Sequence, residues 1–310
     1  MQRLLEAWRL CFETLATSAD GRLVDCAALQ AIAPHAGENA TLIPFHNPAR
    51  QVVRFHEAGS STPVIMLNNV SVYYPLAREL GEDRPFIDIQ LYHPTGPLEL
   101  PYDFDVFAAY ALRFVRWAQP KGPYILGGHC VYGVLAFELA KQLQRMGEKV
   151  HLVALFDSWA PGYRETMSPK DQKARLRQLR LYGYSKRLGE YQRNEIGLTE
   201  IVRKPILRRL GLLAPEPPQP KLHYEWFDDY LREATARYRP TPYDGDVIVF
   251  RSDEPLRGRL FDERMGWGPL VTGNLKKVDV ASDHRGMFRD QYAAHIAAVM
   301  RAALAAKEDR

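Results

Sequence analysis

The sequence predicts an α/β protein with a mostly parallel central sheet and helices on both faces. Two observations carry this prediction. Short, continuously apolar segments such as Val64–Leu67 and Val150–Phe156 suit strands that are buried on both faces. Longer amphipathic segments lie between them and end at glycine or proline, as expected for helices that connect parallel strands.

Taken in order, the chain begins with an amphipathic helix at Leu4–Leu15, and residues 1–41 are predicted to form an N-terminal extension. Leu42–Phe45 and Val52–Phe55 are expected to pair as a hairpin at one edge of the sheet. Further strands are predicted at Val64–Leu67, Phe86–Leu91, Tyr124–Leu126, Val150–Phe156, Val247–Phe250 and Leu275–Val280. Helices are predicted at Tyr74–Leu80, Phe104–Trp117, Val131–Met146, Tyr224–Tyr238 and Gln291–Ala305.

The alternation stops at residues 161–222, which are rich in arginine, leucine and tyrosine and end in a proline-rich stretch. This segment predicts two or three amphipathic helices inserted as a lid. Residues 42–310 are then expected to form one domain that contains the insertion.

Composition excludes several classes of protein. The 310 residues are 46% hydrophobic and 25% charged, which is ordinary for a globular protein, and no stretch approaches the length of a membrane span. Charged residues among the first twelve interrupt any signal-peptide core, so a cytoplasmic location is expected. The cysteines, Cys11, Cys26 and Cys130, lack metal-binding spacing, and neither a metal site nor a disulfide is predicted.

The net charge is only +4, but twelve lysines and arginines face four acidic residues between Lys170 and Arg209. Two interpretations stay open: a solvated helix face, or a docking surface for an acidic partner. Nucleic acid is not an expected partner, because no recognition motif or aromatic pattern accompanies the charge.

The most informative segment joins a strand to a helix. The apolar run Tyr124–Leu126 leads into Gly127 and Gly128, and Cys130 follows just before a helical pattern. This is the layout of a nucleophile elbow, with cysteine where serine usually stands. It predicts that Cys130 attacks an acyl group while the N–H of Val131 faces the resulting oxyanion.

The elbow is the first of four segments that follow one another in a characteristic order. They are residues 127–143, residues 153–158, residues 243–251, and Gly266-Trp267 followed by residues 283–288. Together they resemble the thioesterase domains of nonribosomal peptide and polyketide synthases, over roughly Leu42–Ala305. The resemblance implies an α/β-hydrolase fold with a helical lid.

By this resemblance Cys130 is the nucleophile, His284 is the general base and Asp157 is the acid that orients the base. Asp253, which follows the strand Val247–Phe250, is the alternative acid, because many α/β-hydrolases place the acid there. In this triad the base takes the thiol proton, and the acid fixes the tautomer of the imidazole.

Three positions depart from the family pattern. The loop that should supply the second oxyanion donor, for which Val70 is the candidate, lacks the usual glycines. Tyr132 stands where the elbow normally has a small residue, so it is expected to point outward. There it would gate water or contact the acyl chain, or else mark a degenerate site. Tyr132, Asn69 and His129 are assigned to the substrate cavity.

The third departure is the cysteine. The predicted function is release of an acyl, peptidyl or polyketide chain from a carrier-protein 4′-phosphopantetheine thioester through acyl-Cys130, with no cofactor bound to the chain itself. Hydrolysis, cyclisation and transfer to an amine or alcohol all stay open. Predicted carrier-docking residues are Arg203, Lys204, Arg208 and Arg209. Two alternatives are a non-catalytic module that binds an acyl group or a partner, and a free-standing hydrolase of small thioesters or esters.

Overall fold

The computed structural model describes residues 51–91, 103–192, 207, 223–252 and 262–308. The strands in these ranges are β1 (Val52–Phe55), β2 (Val64–Leu67), β3 (Phe86–Ile89), β4 (Tyr124–His129), β5 (Val150–Phe156), β6 (Val247–Ser252) and β7 (Leu275–Val280). The helices are α1 (Val70–Leu80), α2 (Phe104–Ala118), α3 (Val131–Arg145), α4 (Tyr163–Thr166), α5 (Pro169–Gln192), α6 (His223–Arg237) and α7 (Asp290–Glu308).

The strands form one sheet in the order β1-β3-β2-β4-β5-β6-β7. Each neighbouring pair is parallel except β1 with β3, which is antiparallel. The strand order changes direction between β2 and β4, and such a switch point opens a crevice at the carboxyl ends of the strands. The predicted mostly parallel α/β sheet is therefore confirmed, and its topology favours a site beyond β2 and β4.

Apolar cores lie on both faces of the sheet, and each strand contributes to both because its alternate residues point to opposite sides. Ile65 and Leu67 of β2 join one apolar core with side chains of α2, α3 and α6. Val64 and Met66 of the same strand join a second core with side chains of α1 and α7. Helix α3 packs at the centre, and each of its residues from 131 to 143 is buried.

A buried ionic cluster anchors α3 to the helices beside it. Glu138 is fully buried, and its carboxylate accepts hydrogen bonds from Lys141 at 2.8 Å and Arg145 at 2.7 Å. Tyr238, just after α6, also donates to this carboxylate. Because a buried charge is tolerated only when it is paired and hydrogen-bonded, the cluster ties α3 firmly to the region of α6.

Most predicted elements differ from the observed ones only at their ends. Helix α1 begins at Val70 rather than Tyr74, because the N–H groups of Val72 and Tyr73 both bond to the carbonyl of Asn69 and close a first turn before Pro75. Strand β4 continues through both glycines to His129. The predicted helix at Leu4–Leu15 and strand at Leu42–Phe45 lie outside the described residues.

The described part of residues 161–222, the predicted lid, contains helices α4 and α5. Helix α5 runs for 24 residues, and its side chains Leu176, Leu181, Tyr184 and Leu188 are exposed. Among the described residues, no helix combines the length and apolar character needed to cross a bilayer.

Candidate active site

Cys130 occupies the sharp bend between β4 and α3. Its backbone has φ 57° and ψ −125°, a left-handed conformation that is strained for any residue with a side chain. The bend is held because the N–H of Cys130 donates to the carbonyl of Phe156 at 2.9 Å. The thiol is partly accessible, so the fold presents it rather than sealing it in the core.

Two glycines allow this bend for steric reasons. A Cβ atom on Gly128 would lie 2.2 Å from the carbonyl oxygen of Tyr132, and one on Gly133 would lie 2.6 Å from Cβ of Ser158. Neither distance is tolerable for a real side chain. The elbow therefore requires glycine at position 128, two residues before Cys130, and at position 133, directly after Tyr132.

The structure brings Cys130, His284 and Asp157 together, although they come from three distant parts of the chain. His284 lies in the loop between β7 and α7, and its Nδ1 contacts Oδ2 of Asp157. The Cys130 thiol is hydrogen-bonded to the same imidazole. The predicted nucleophile, base and acid are thus connected in the order that triad chemistry requires.

Asp157 follows β5 with a left-handed backbone, φ 48°, and its carboxylate is buried. Ser252, at the end of β6, donates to it twice, from Oγ at 3.0 Å and from the backbone N–H at 3.3 Å. These bonds fix the carboxylate and keep it aimed at His284. The alternative acid, Asp253, lies outside the described residues.

Electrostatics favour an ionised pair of thiolate and imidazolium. Burial lowers the pKa of His284, but hydrogen bonds to Asp157 and Cys130 and the charges of both groups outweigh burial and raise it to about 9. Burial raises the pKa of the Cys130 thiol. The hydrogen bond and charge of His284, the Val131 N–H and the charge of Arg232 outweigh this effect, and the pKa is lowered overall.

Alkylation of Cys130 by iodoacetamide is therefore expected to be faster at pH 7 than that of a free cysteine. Because the thiolate is the nucleophile, the rate should fall only as the pH drops through the lowered thiol pKa, and it should not fall again near pH 9, where His284 loses its proton. The substitution His284→Ala should move the inflection up to or above about 8.5, the value of a free cysteine, because burial, which raises the thiol pKa, then acts without His284. Mass spectrometry of alkylated protein across pH measures both curves, and coinciding curves would refute the ion pair.

Of the two predicted oxyanion donors, Val131 lies beside the thiol and Val70 lies at the start of a helix. The N–H of Val131 is directed at the sulfur of Cys130. Val70 is the first residue of α1, in the turn where helix N–H groups lack acceptors within the helix. The N–H of Asn69 points to the buried Asp88 carboxylate at 3.4 Å.

Tyr73, which the sequence did not single out, connects this loop to the elbow. Its hydroxyl accepts from the N–H of His129 at 3.2 Å and lies 3.2 Å from the carbonyl of Leu67, to which it donates. The side chain of Asn69 also hydrogen-bonds to it. In the sequence, Tyr73 lies just before the helix predicted at Tyr74–Leu80, and only the pairing of β2 with β4 brings its hydroxyl under the elbow.

His129, predicted to line the substrate cavity, packs against His284 and Phe288. Its ring lies 4.4 Å from the His284 ring, centroid to centroid, and its Nε2 is 2.9 Å from the His284 carbonyl. His129 therefore braces the loop that carries His284.

Tyr132 does not point outward from the elbow as predicted. It is 4% exposed and joins the apolar core between the sheet and α2, α3 and α6. Its hydroxyl also finds two polar partners, Asn68 and Asp228, so burial leaves no polar group unsatisfied.

The predicted docking residues Arg203, Lys204, Arg208 and Arg209 lie outside the described residues. In the described part of the chain, no group of three or more His, Cys, Asp or Glu side chains is arranged to hold a metal ion.

The chain has an α/β-hydrolase fold. Three features define it: the sheet order, the strained cysteine after β4 and the histidine after the last strand. Residues 63–204 match the family model of the thioesterase domain. The resemblance that the four sequence segments indicate is confirmed.

A synthase relative agrees with the family match, and solved structures agree with the fold. A dimodular nonribosomal peptide synthase from Bacillus subtilis (strain 168) is 29% identical over 234 residues, which are 74% of this chain and 10% of that protein. The chain thus spans a small part of this relative. The NocB thioesterase domain in covalent complex with a fluorophosphonate nocardicin G analog has a TM-score of 0.57 at 20% identity, covering 82% of this chain and 99% of that chain. Holo-AB3403, a four domain nonribosomal peptide synthetase bound to AMP and glycine, has a TM-score of 0.56 at 21% identity, covering 89% of this chain and 21% of that chain. These two likenesses concern the fold.

Proposed function

We propose that this chain is a thioesterase that accepts an acyl, peptidyl or polyketide chain from a carrier-protein phosphopantetheine thioester onto Cys130 and then releases it. One observation carries the proposal: the accessible Cys130 thiol is hydrogen-bonded to His284, which a buried carboxylate holds in place. The family match and the synthase relatives support the same reaction class.

In the first step, the Cys130 thiolate attacks the thioester carbonyl and forms a tetrahedral oxyanion. The Val131 N–H, with Val70 as the proposed second donor, stabilises that charge. The carbon–sulfur bond to pantetheine then breaks, and the His284 imidazolium protonates the departing thiolate. The products are acyl-Cys130, free pantetheine thiol and neutral His284.

In the second step, neutral His284 takes a proton from the acceptor, which is water, a hydroxyl group or an amine. The acceptor attacks acyl-Cys130, a second oxyanion forms, and its collapse expels the Cys130 thiolate beside the imidazolium. An internal acceptor closes a ring, an external one gives an ester or amide, and water gives the acid.

Cysteine changes the energetics of the intermediate. Acyl-cysteine is itself a thioester, so transfer from pantetheine sulfur to Cys130 is nearly thermoneutral and preserves acylating power. An acyl-serine would lie downhill as an oxyester. We therefore propose acceptors that are poor nucleophiles or are strained in the attacking geometry.

The carrier is proposed to dock on the basic lid. Twelve basic and four acidic residues lie between Lys170 and Arg209, and carrier proteins are typically acidic with a phosphate on the pantetheine arm. Arg203, Lys204, Arg208 and Arg209 remain the proposed contacts. The pantetheine arm belongs to the carrier and enters as substrate.

Intact-protein mass spectrometry tests the proposed function. Mixing the chain with carrier-bound acyl thioesters is expected to add one acyl mass, which tandem spectra locate at Cys130 and which a nucleophilic acceptor removes. Cys130→Ala serves as the control and should gain no mass. Tight binding of the acyl carrier without any adduct or release would support the non-catalytic alternative, and labelling by small thioesters alone would support the free-standing hydrolase.

A further inference from the structure

Tyr132 occupies an unusual place for a residue of its size. It is the second residue of α3, two positions after the nucleophile, and it is 4% exposed. Its hydroxyl lies between two polar side chains from elements on either side. One is Asn68, which precedes α1, and the other is Asp228 on α6.

Asn68 controls the loop that leads to Val70. Its backbone is left-handed, φ 55°, in a loop without glycine. Both ends of its side-chain amide are engaged: Oδ1 accepts from the N–H of Leu91 at 2.9 Å, and Nδ2 donates to the Tyr132 hydroxyl at 2.6 Å. The side chain of Asn68, rather than a glycine, therefore holds this loop in shape.

The direction of each hydrogen bond follows from chemistry. Nδ2 of Asn68 can only donate, so the Tyr132 oxygen accepts from it, and the phenolic proton goes to Oδ1 of Asp228. Burial and the nearby Asp228 charge raise the pKa of Tyr132 well above its usual range, so this proton stays in place. Asp228 is itself paired with Arg232 at 3.8 Å.

We propose that Tyr132 is a positioning residue for the oxyanion hole: its hydroxyl ties Asn68 to Asp228 and so orients the loop that presents the second donor at Val70. The inference rests on the proposed function and deepens it. It also assigns a role to the large residue that replaces the small one usual in this elbow.

The substitution Tyr132→Phe removes the hydroxyl and leaves the ring. Acyl transfer from a thioester is expected to lose about 10- to 100-fold in kcat, the size of effect that misplacing a reacting or stabilising group produces, with little change in KM. Alkylation of Cys130 by iodoacetamide forms no oxyanion, so its rate at pH 7 should stay within about twofold of the parent rate.

Tyr110→Phe is the matched control. Tyr110 is likewise 4% exposed, and its hydroxyl has no hydrogen-bond partner among the described residues. This variant should keep both rates. Hydrogen exchange adds a readout independent of turnover: the amides of Asn69 and Leu91 should exchange faster in Tyr132→Phe than in Tyr110→Phe.

Equal losses of acyl transfer and alkylation in Tyr132→Phe would overturn the proposal, as would unchanged kcat or unchanged exchange. A parent protein that is alkylated but never acylated fails differently. That result contradicts the proposed function, whereas the exchange experiment still tests whether Tyr132 holds the loop.

Discussion

Replacing Cys130 with alanine is expected to lower the rate of acyl release by about 10⁴-fold or more, the range seen when a triad nucleophile is removed. The loss is large because the covalent intermediate can no longer form. Release of pantetheine thiol from carrier-bound substrate measures it directly. Since Cys130 is partly accessible, the variant should fold normally, and its thermal midpoint should match that of the parent.

Cys130→Ser separates nucleophile chemistry from the geometry of the elbow. Acylation should slow because the serine hydroxyl needs stronger activation than the thiol. Products from poor acceptors should decline because an acyl-serine is an oxyester and a weaker acylating agent than a thioester. Product ratios and single-turnover rates measure both effects. If the serine variant matches the parent in rate and product distribution, the cysteine has no special chemical role.

Asp157→Asn is expected to lower kcat by about 10³- to 10⁴-fold, because an amide in place of the carboxylate allows the wrong imidazole tautomer. Asp157 is the proposed orienting acid because it contacts Nδ1 of His284 and accepts two hydrogen bonds from Ser252. Steady-state kinetics with a thioester substrate measure the effect, and circular dichroism checks the fold of this buried substitution.

Asp253→Asn provides the comparison that decides between the two candidate acids. It should lose far less activity than Asp157→Asn. A larger loss for Asp253→Asn would move the acid to the position after β6, and the Asp157 contact would then be structural.

Local patterns account for most of the fold. β5 and β7 have the predicted bounds, and α2 and α3 end within one residue of prediction. β5 is predictable because burial on both faces of a parallel sheet requires a continuous apolar strand. Helix α1 begins four residues before the predicted Tyr74, because residues 70–74 have a strand-like composition and the carbonyl of Asn69 closes the first turn.

The candidate site was only partly readable. The glycines around Cys130 are a local signal, because a sharp bend excludes a Cβ atom at fixed positions. Ser252, Tyr73 and Asp228 carry no such signal. Each looks like an ordinary strand or helix residue until sheet pairing and helix packing bring its polar atoms to the site.

By itself, the sequence determined the alternating strands and helices and the elbow that carries Cys130, the proposed nucleophile, because periodicity and steric demands act over neighbouring residues. Only the tertiary structure shows that Asp157 contacts His284, 127 residues away along the chain, and where Tyr132 directs its hydroxyl. Such contacts depend on the order and register of strands far apart in the chain, and local sequence does not encode that order.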